Sequence, residues 1–329
     1  MFKICVVGCG GMATNGHGPA FKKYYEDYKD VELTACCDLD KEKAEKFKET
    51  FGFLKCYTDY NEMLDNEKPD VVSLMCPVKF TKDLAVSIIK KGYNIILEKP
   101  PGLNKDEVYE IIKEAEEHKD LFIRTAFNRR YTPLILKLKE LLCGKKIYNI
   151  TYQMYRNKRN DADFATTAIH AIDVTKDIIG ADYKNINIRY QELKDIGDTV
   201  SNFYLDCEFE NGAFGQISLV PMGGAIIERI TVNTLNESYF VELPFWGGPD
   251  APGRLRVIKD KEIICDISGA ELSDSEEMFE LSGFYDENRL FFELIRSGAK
   301  PTCDLESGVQ SVEIADCLRQ RKPQYIKGE

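Results

Sequence analysis

Along the first 126 residues, short, mostly apolar runs alternate with longer stretches of helical spacing. The runs Ile4–Val7, Val31–Cys37, Val71–Met75, Tyr93–Leu97 and Leu121–Ala126 predict strands buried on both faces. Between them, Ala44, Phe47 and Phe51 share one helical stripe, and Val108, Ile111, Ile112 and Ala115 follow the i, i+3, i+4, i+7 rule. Asn104 reads as the N-cap of that last helix, with Glu107 completing a capping box. Strict alternation of strand and helix predicts parallel βαβ units and a doubly wound sheet. Thr14–Ala20, containing Gly16, Gly18 and Pro19, predicts a loop ahead of the first helix.

After Phe127 the period changes to two. Phe203, Leu205, Cys207 and Phe209 point one way, and Tyr204, Asp206, Glu208 and Glu210 the other. Asn211-Gly212 then predicts a two-residue hairpin turn into Ala213–Leu219. Further strands are predicted at Ile147–Tyr155, Ile186–Gln191, Ile227–Thr234, Ser238–Leu243, Arg254–Ile258 and Glu262–Ile267. Helices are predicted over Thr167–Ile179, ended by Gly180, and over Tyr285–Ser297 and Leu305–Gln320. The expected architecture is an α/β domain over 1–126 and an α+β domain over 127–329, the latter an open, mostly antiparallel sheet with helices on one face.

Charge and cysteine usage narrow the function classes. The 329 residues carry 44 Lys plus Arg against 55 Asp plus Glu, a net charge of −11. Such an acidic chain lacks the basic surface that nucleic acid or an anionic membrane requires. Eleven cysteines, none spaced C-x-x-C and several inside apolar strands, point to a reducing compartment. The three histidines lie in separate segments, which argues against a metal site. Neither a signal peptide nor a membrane-length apolar run is evident, so a soluble, cytoplasmic protein is expected.

Candidate chemistry starts at the first strand. Ile4–Val7 runs into Gly8-Cys9-Gly10-Gly11-Met12-Ala13, a G-x-G-x-x-A turn whose amides can approach a pyrophosphate before a helix N-terminus. The second strand ends at Asp38, where a carboxylate can accept from ribose hydroxyls and repel a 2′-phosphate, which favours NAD over NADP. Lys41 and Lys43 keep the NADP reading open. Tyr93–Leu97 ends at Glu98-Lys99-Pro100-Pro101, so Lys99 is placed past a strand end, where ligands bind in such sheets. Lys99 reads either as an acid–base group or as a solvated lysine. Arg129-Arg130 and Arg156-Asn157-Lys158-Arg159 read either as recognition of an anionic group or as structural ion pairing.

Gly8–Ala13, Asp38, Cys76-Pro77, Glu98-Lys99-Pro100, Phe127-Asn128-Arg129-Arg130-Tyr131 and His170-Ala171-Ile172-Asp173 occur in the order and context of the Gfo/Idh/MocA oxidoreductases, which the chain resembles over essentially its whole length. The resemblance implies an N-terminal Rossmann domain holding NAD, with Gly8, Gly10, Gly11, Met12, Ala13, Asp38, Cys76, Pro77, Glu98 and Lys99 at the cofactor. It implies Lys99 at the reacting oxygen and His170 as proton acceptor or its partner, with Asp173, or Asp163 upstream, orienting the imidazole. Arg129, Arg156, Thr166 and His170 become candidate substrate contacts. Two positions depart from the pattern: Thr166 stands where many sugar-oxidising members have Asp, and Thr81 where a His is frequent. The expected activity is NAD-dependent hydride transfer at a secondary hydroxyl or carbonyl of a sugar, cyclitol or derivative. The rival expectation is a non-catalytic, nicotinamide-sensing regulator on the same fold. A homodimer or homotetramer joined through the open sheet is also expected.

Overall fold

In the computed structural model, which describes residues 1–160 and 163–328, the early apolar runs pair side by side as parallel strands. In chain order these elements are β1 (Phe2–Val7), α1 (Gly18–Asp27), β2 (Val31–Cys37), α2 (Lys41–Phe51), β3 (Lys55–Tyr57), α3 (Tyr60–Glu67), β4 (Val71–Leu74), α4 (Val78–Lys90), β5 (Asn94–Glu98), α5 (Lys105–Glu117) and β6 (Ile123–Ala126). The six-stranded sheet runs β3-β2-β1-β4-β5-β6, so the strand order reverses beside β1. That reversal leaves a crevice beyond the strand ends, the usual ligand position in an open α/β sheet. Asn104 caps α5 through the Glu107 amide, as the sequence predicts.

The stretch expected as a loop is helical instead. Ala13–His17 forms a π-helical turn that continues directly into α1. Close packing explains it: a Cβ on Gly16 would lie 2.7 Å from the Phe284 ring, so a larger residue could not sit there. Phe284 belongs to a segment that the sequence reading assigned elsewhere. The chain divides into one unit of Met1–Phe127 with Phe284–Val312 and a second of Asn128–Gly283 with Glu313–Glu329. The first unit thus takes in Phe284–Val312 as well as the N-terminal stretch. Its helix, spanning Phe284–Arg296, carries Phe291 and Phe292 into the core, where Phe292 meets Phe2, Phe21 and Tyr24 at ring distances of 5.8, 6.1 and 5.2 Å.

The second unit is built on α6 (Pro133–Leu142), β7 (Asn149–Tyr155), α7 (Ala165–Ile179), β8 (Tyr183–Glu192), β9 (Ser201–Phe209), β10 (Phe214–Val220), β11 (Ile227–Thr234), β12 (Glu237–Leu243), β13 (Arg254–Lys259) and β14 (Glu262–Ser268). The short helices α8 (Gly269–Ser273) and α9 (Met278–Leu281) follow, then α10 (Phe284–Arg296) of the first unit, α11 (Glu306–Arg319) and β15 (Gln324–Ile326). The nine-stranded sheet runs β14-β13-β12-β11-β7-β10-β9-β8-β15 and is antiparallel except where β10 meets β7. The period-two reading of β9 holds: Phe203, Leu205, Cys207 and Phe209 are buried. The hairpin after it is longer than expected. The Phe209 amide donates to the Ala213 carbonyl, which leaves three residues, Glu210 to Gly212, in the loop.

Candidate functional site

In the first unit, the turn after β1 cannot be built without glycine at its start. Gly8 has φ +98°, and a Cβ there would lie 2.3 Å from the Met75 carbonyl oxygen. Its amide donates to Cys37 O at 2.8 Å, tying the turn to the end of β2. Gly10 and Gly11 are exposed, and a Cβ on either meets nothing within 4 Å. Open space therefore lies against this backbone, at the start of the helical run that Thr14 N–H opens by donating to Gly10 O at 2.9 Å.

Asp38 closes the other side of this cradle. Its carboxylate accepts from the Cys9 amide at 2.8 Å and from the Asp40 amide at 2.9 Å, which fixes the side chain at the end of β2. A half-buried carboxylate held beside a glycine turn fits a ribose diol, and the turn fits a pyrophosphate, so these residues suit a dinucleotide. The neighbouring thiols do not suit chemistry. Burial of Cys37 pushes its thiol up to about 12, away from the reactive thiolate. Met12 is exposed at the same turn; Cys76 is half-buried with Sγ 3.5 Å from the hydroxyl of the buried Thr81, and Pro77 caps α4.

Glu98 turns inward. Its Oε1 lies 3.2 Å from Nε2 of His17, a fully buried histidine whose Nδ1 is 2.9 Å from the Asn288 amide nitrogen. Burial pushes the Glu98 carboxyl up, but the His17 hydrogen bond and the Lys99 charge and amide outweigh it, so the net direction is down and Glu98 is ionised. This internal contact braces the chain at Lys99. Lys99 itself is half-buried and follows β5 directly. Sequence reasoning missed His17, because its partners Glu98 and Asn288 lie 81 and 271 residues away.

In the second unit, His170 is buried midway along α7, with Thr166 one turn before it on the same face. The Thr166 hydroxyl donates to Asp163 O at 2.9 Å. The carboxylates proposed to orient His170 are engaged elsewhere: both Asp173 oxygens accept from Arg130, at 2.7 and 2.6 Å, and Asp163 pairs with Arg319 at 3.2 Å. What meets the imidazole is Arg129, whose Nη1 lies 3.2 Å from His170 Nε2.

Arg129 and Arg156, singled out in the sequence, meet in a buried cluster on Glu228 and Tyr152, which were not. Glu228, on the inner face of β11, accepts from Arg129 Nη2 at 2.8 Å, from Arg156 and from the Tyr152 hydroxyl. Burial pushes the Glu228 carboxyl up, but the Arg129 and Arg156 charges outweigh it and hold it far below the usual carboxylate range. Arg156 is 3% exposed and also donates to the Tyr155 and Ile227 carbonyls, so it serves as an internal strut of this cluster. Its guanidinium lies 4.6 Å from the centre of the Phe245 ring. The only local signal for Glu228 was an acidic residue at an inward position of β11.

Residues 2–125 match the oxidoreductase family with an NAD-binding Rossmann fold. Oxidoreductase P35 of Formosa agariphila is 30% identical over 145 residues, 44% of this chain and 44% of that one, so the match spans less than half of that relative. The Myo-inositol 2-dehydrogenase of Thermotoga maritima is 26% identical over 65% of this chain and 67% of its own. A levoglucosan dehydrogenase solved with NADH and L-sorbose shares the fold at a TM-score of 0.81 and 16% identity, covering 99% of this chain and 98% of that one. With its glycine turn and its Asp38, the stretch 2–125 is similar to the NAD-binding Rossmann domain of the Gfo/Idh/MocA oxidoreductases.

Proposed function

We propose that this chain transfers a hydride between NAD and a secondary alcohol or carbonyl of a sugar, cyclitol or derivative. The observation that carries the reading is the Asp38 carboxylate, fixed by two amides beside an open glycine turn. The similarity to inositol and levoglucosan dehydrogenases supports the substrate class. In this reading Gly8, Gly10, Gly11, Met12 and Ala13 receive the pyrophosphate, Asp38 receives the ribose, and Cys76 and Pro77 border the cofactor. In the first unit Lys99 is the candidate for charge and proton exchange at a reacting oxygen; in the second, His170, Thr166 and Arg129 are the candidate substrate contacts. NAD supplies the hydride acceptor. Loss of hydride leaves a developing carbonyl whose hydroxyl proton must depart, and a positioned ammonium–amine pair on Lys99 accommodates that step.

NADH should bind more tightly than NADPH. The lysines that could hold a 2′-phosphate have partners of their own, Lys41 with Glu45 at 3.6 Å and Lys43 with Asp40 at 3.5 Å. Titration of both dinucleotides at equal salt tests this, and tighter NADPH binding would reverse the Asp38 assignment. Turnover of a polyol and sugar panel with NAD tests the reaction. Tight NADH binding with no turnover across that panel would favour the nicotinamide-sensing reading instead.

A further inference from the structure

Two buried histidines in this protein are held through opposite ring nitrogens, and the partners dictate which nitrogen carries the proton. A guanidinium has donors only and stays charged at any ordinary pH. Arg129 Nη1, at 3.2 Å from His170 Nε2, must therefore donate to it, and Nε2 must offer a lone pair. The imidazole proton is then on Nδ1. We propose that Arg129, anchored by Glu228, is a positioning residue that holds His170 as the Nδ1–H tautomer with its Nε2 lone pair occupied.

The anchor makes this arrangement persistent. Arg129 is gripped by Glu228 at 2.8 Å through Nη2 and by the Asn128 side-chain oxygen at 3.0 Å through Nη1. Glu228 is itself held by Arg156 and by the Tyr152 hydroxyl, and is only 1% exposed. Withdrawing Arg129 from His170 would disturb a charge-assisted contact inside a low-dielectric cluster.

His17 shows the opposite pattern and serves as an internal reference. The Asn288 side-chain nitrogen donates to the Phe284 carbonyl at 2.8 Å, and that carbonyl can only accept, so the amide orientation is fixed. The same nitrogen then donates to His17 Nδ1 at 2.9 Å, which leaves the proton on Nε2, facing Glu98 at 3.2 Å. One chain thus holds one histidine in each tautomer.

The consequence for chemistry rests on the proposed function. A base needs a free lone pair, and the one on His170 is taken by Arg129. In this state His170 offers a substrate oxygen a hydrogen bond through Nδ1–H, which fits the partner role that the family resemblance implies and not the proton-acceptor role. The Nδ1–H of His170 would stabilise negative charge building on that oxygen.

Long-range proton–nitrogen NMR of the full ¹⁵N-labelled chain distinguishes the two tautomers directly. It needs no substrate, and with three histidines each pattern is assigned by single His→Gln variants. Spectra are recorded at about pH 8.5, above the ordinary histidine pKa of about 6.5. The expected result is Nδ1–H for His170 and Nε2–H for His17. Arg129→Met should return His170 toward the Nε2–H form, whereas Arg129→Lys, which keeps a donor, should retain Nδ1–H. An Nε2–H pattern for His170 in the unaltered protein overturns the proposal, even if Arg129→Met fails to fold. An unchanged Nδ1–H pattern in folded Arg129→Met overturns the role of Arg129. Failure to turn over any sugar would overturn the proposed function while leaving these spectra, and the tautomer assignment, intact.

Discussion

Lys99 is the residue whose replacement most cleanly separates chemistry from cofactor binding. It follows β5, and the sheet order places β4 between β5 and the glycine turn of β1. Two strand spacings amount to roughly 10 Å, so the Lys99 backbone is remote from the pyrophosphate cradle. Lys99→Ala should lower kcat by about a hundred- to ten-thousand-fold, the usual weight of a positioned acid–base group, with NADH affinity unchanged. Steady-state kinetics alongside NADH titration checks this. Equal losses in both would make Lys99 a structural residue. Asp38 and Lys99 were legible as candidates because each directly follows an apolar run, and strand ends in such sheets face the ligand. Glu228 and His17 were not legible: each owes its environment to partners brought in from distant segments, and a single acidic or imidazole side chain in a sequence carries no sign of them.

At the scale of elements, periodicity located the strands well and failed where packing overrode local chemistry. The glycines before α1 suggested a loop, yet Gly16 is small because Phe284 packs against it, and the backbone there stays helical. Helix α6 was overlooked although Pro133 opens it and Leu134, Ile135, Leu138 and Leu142 form its buried face. Strand β15 has only three residues, too few to show a period. The return of α10 to the first unit was invisible for a different reason: its apolar stripe was plain, but a stripe does not name the core that it fills. Phe292 tests that placement. It is fully buried against Phe2, Phe21 and Tyr24, and truncating such a ring costs about 3–5 kcal/mol. In urea titrations, Phe292→Ala should lose NADH binding at lower denaturant than the unaltered protein. The single Trp, Trp246, lies in the second unit and reports it independently. If the Trp246 transition moved while NADH binding held, α10 would belong with the second unit after all.

For the whole molecule, the outer face of the nine-stranded sheet sets the expected assembly. Helices α6 and α7 pack on strands of this sheet, and the side chains pointing the other way keep partial exposure. That outer face is mostly polar. Its middle strands present Asn149, Thr151, Gln153, Gln216, Ser218 and Thr231, polar and uncharged, together with Arg229, whose charge is paired with Asp250 at 2.7 Å. Aromatic rings are spaced among them, with Phe214 59% and Phe240 40% exposed. Charge is concentrated toward the flanks, where Asp206 and Glu208 on β9 face Arg189 and Lys184, and Arg254 and Arg256 on β13 face Asp266. A centre poor in charge, its one arginine already paired, with exposed aromatics inside a charged rim is the anatomy of a protein interface, since depletion of charge at the core matters more there than bulk hydrophobicity. The rim pairs are mutually neutralising, so two copies meeting face to face need not bury unpaired charge. We therefore expect a homodimer or homotetramer joined through this face. Light scattering at micromolar concentration should give a mass at least twice 37.6 kDa. Gln216→Lys with Thr151→Lys, two cations at the centre of the face, should reduce that mass to the single chain while leaving NADH binding intact. A mass of 37.6 kDa for the unaltered protein would rule the assembly out.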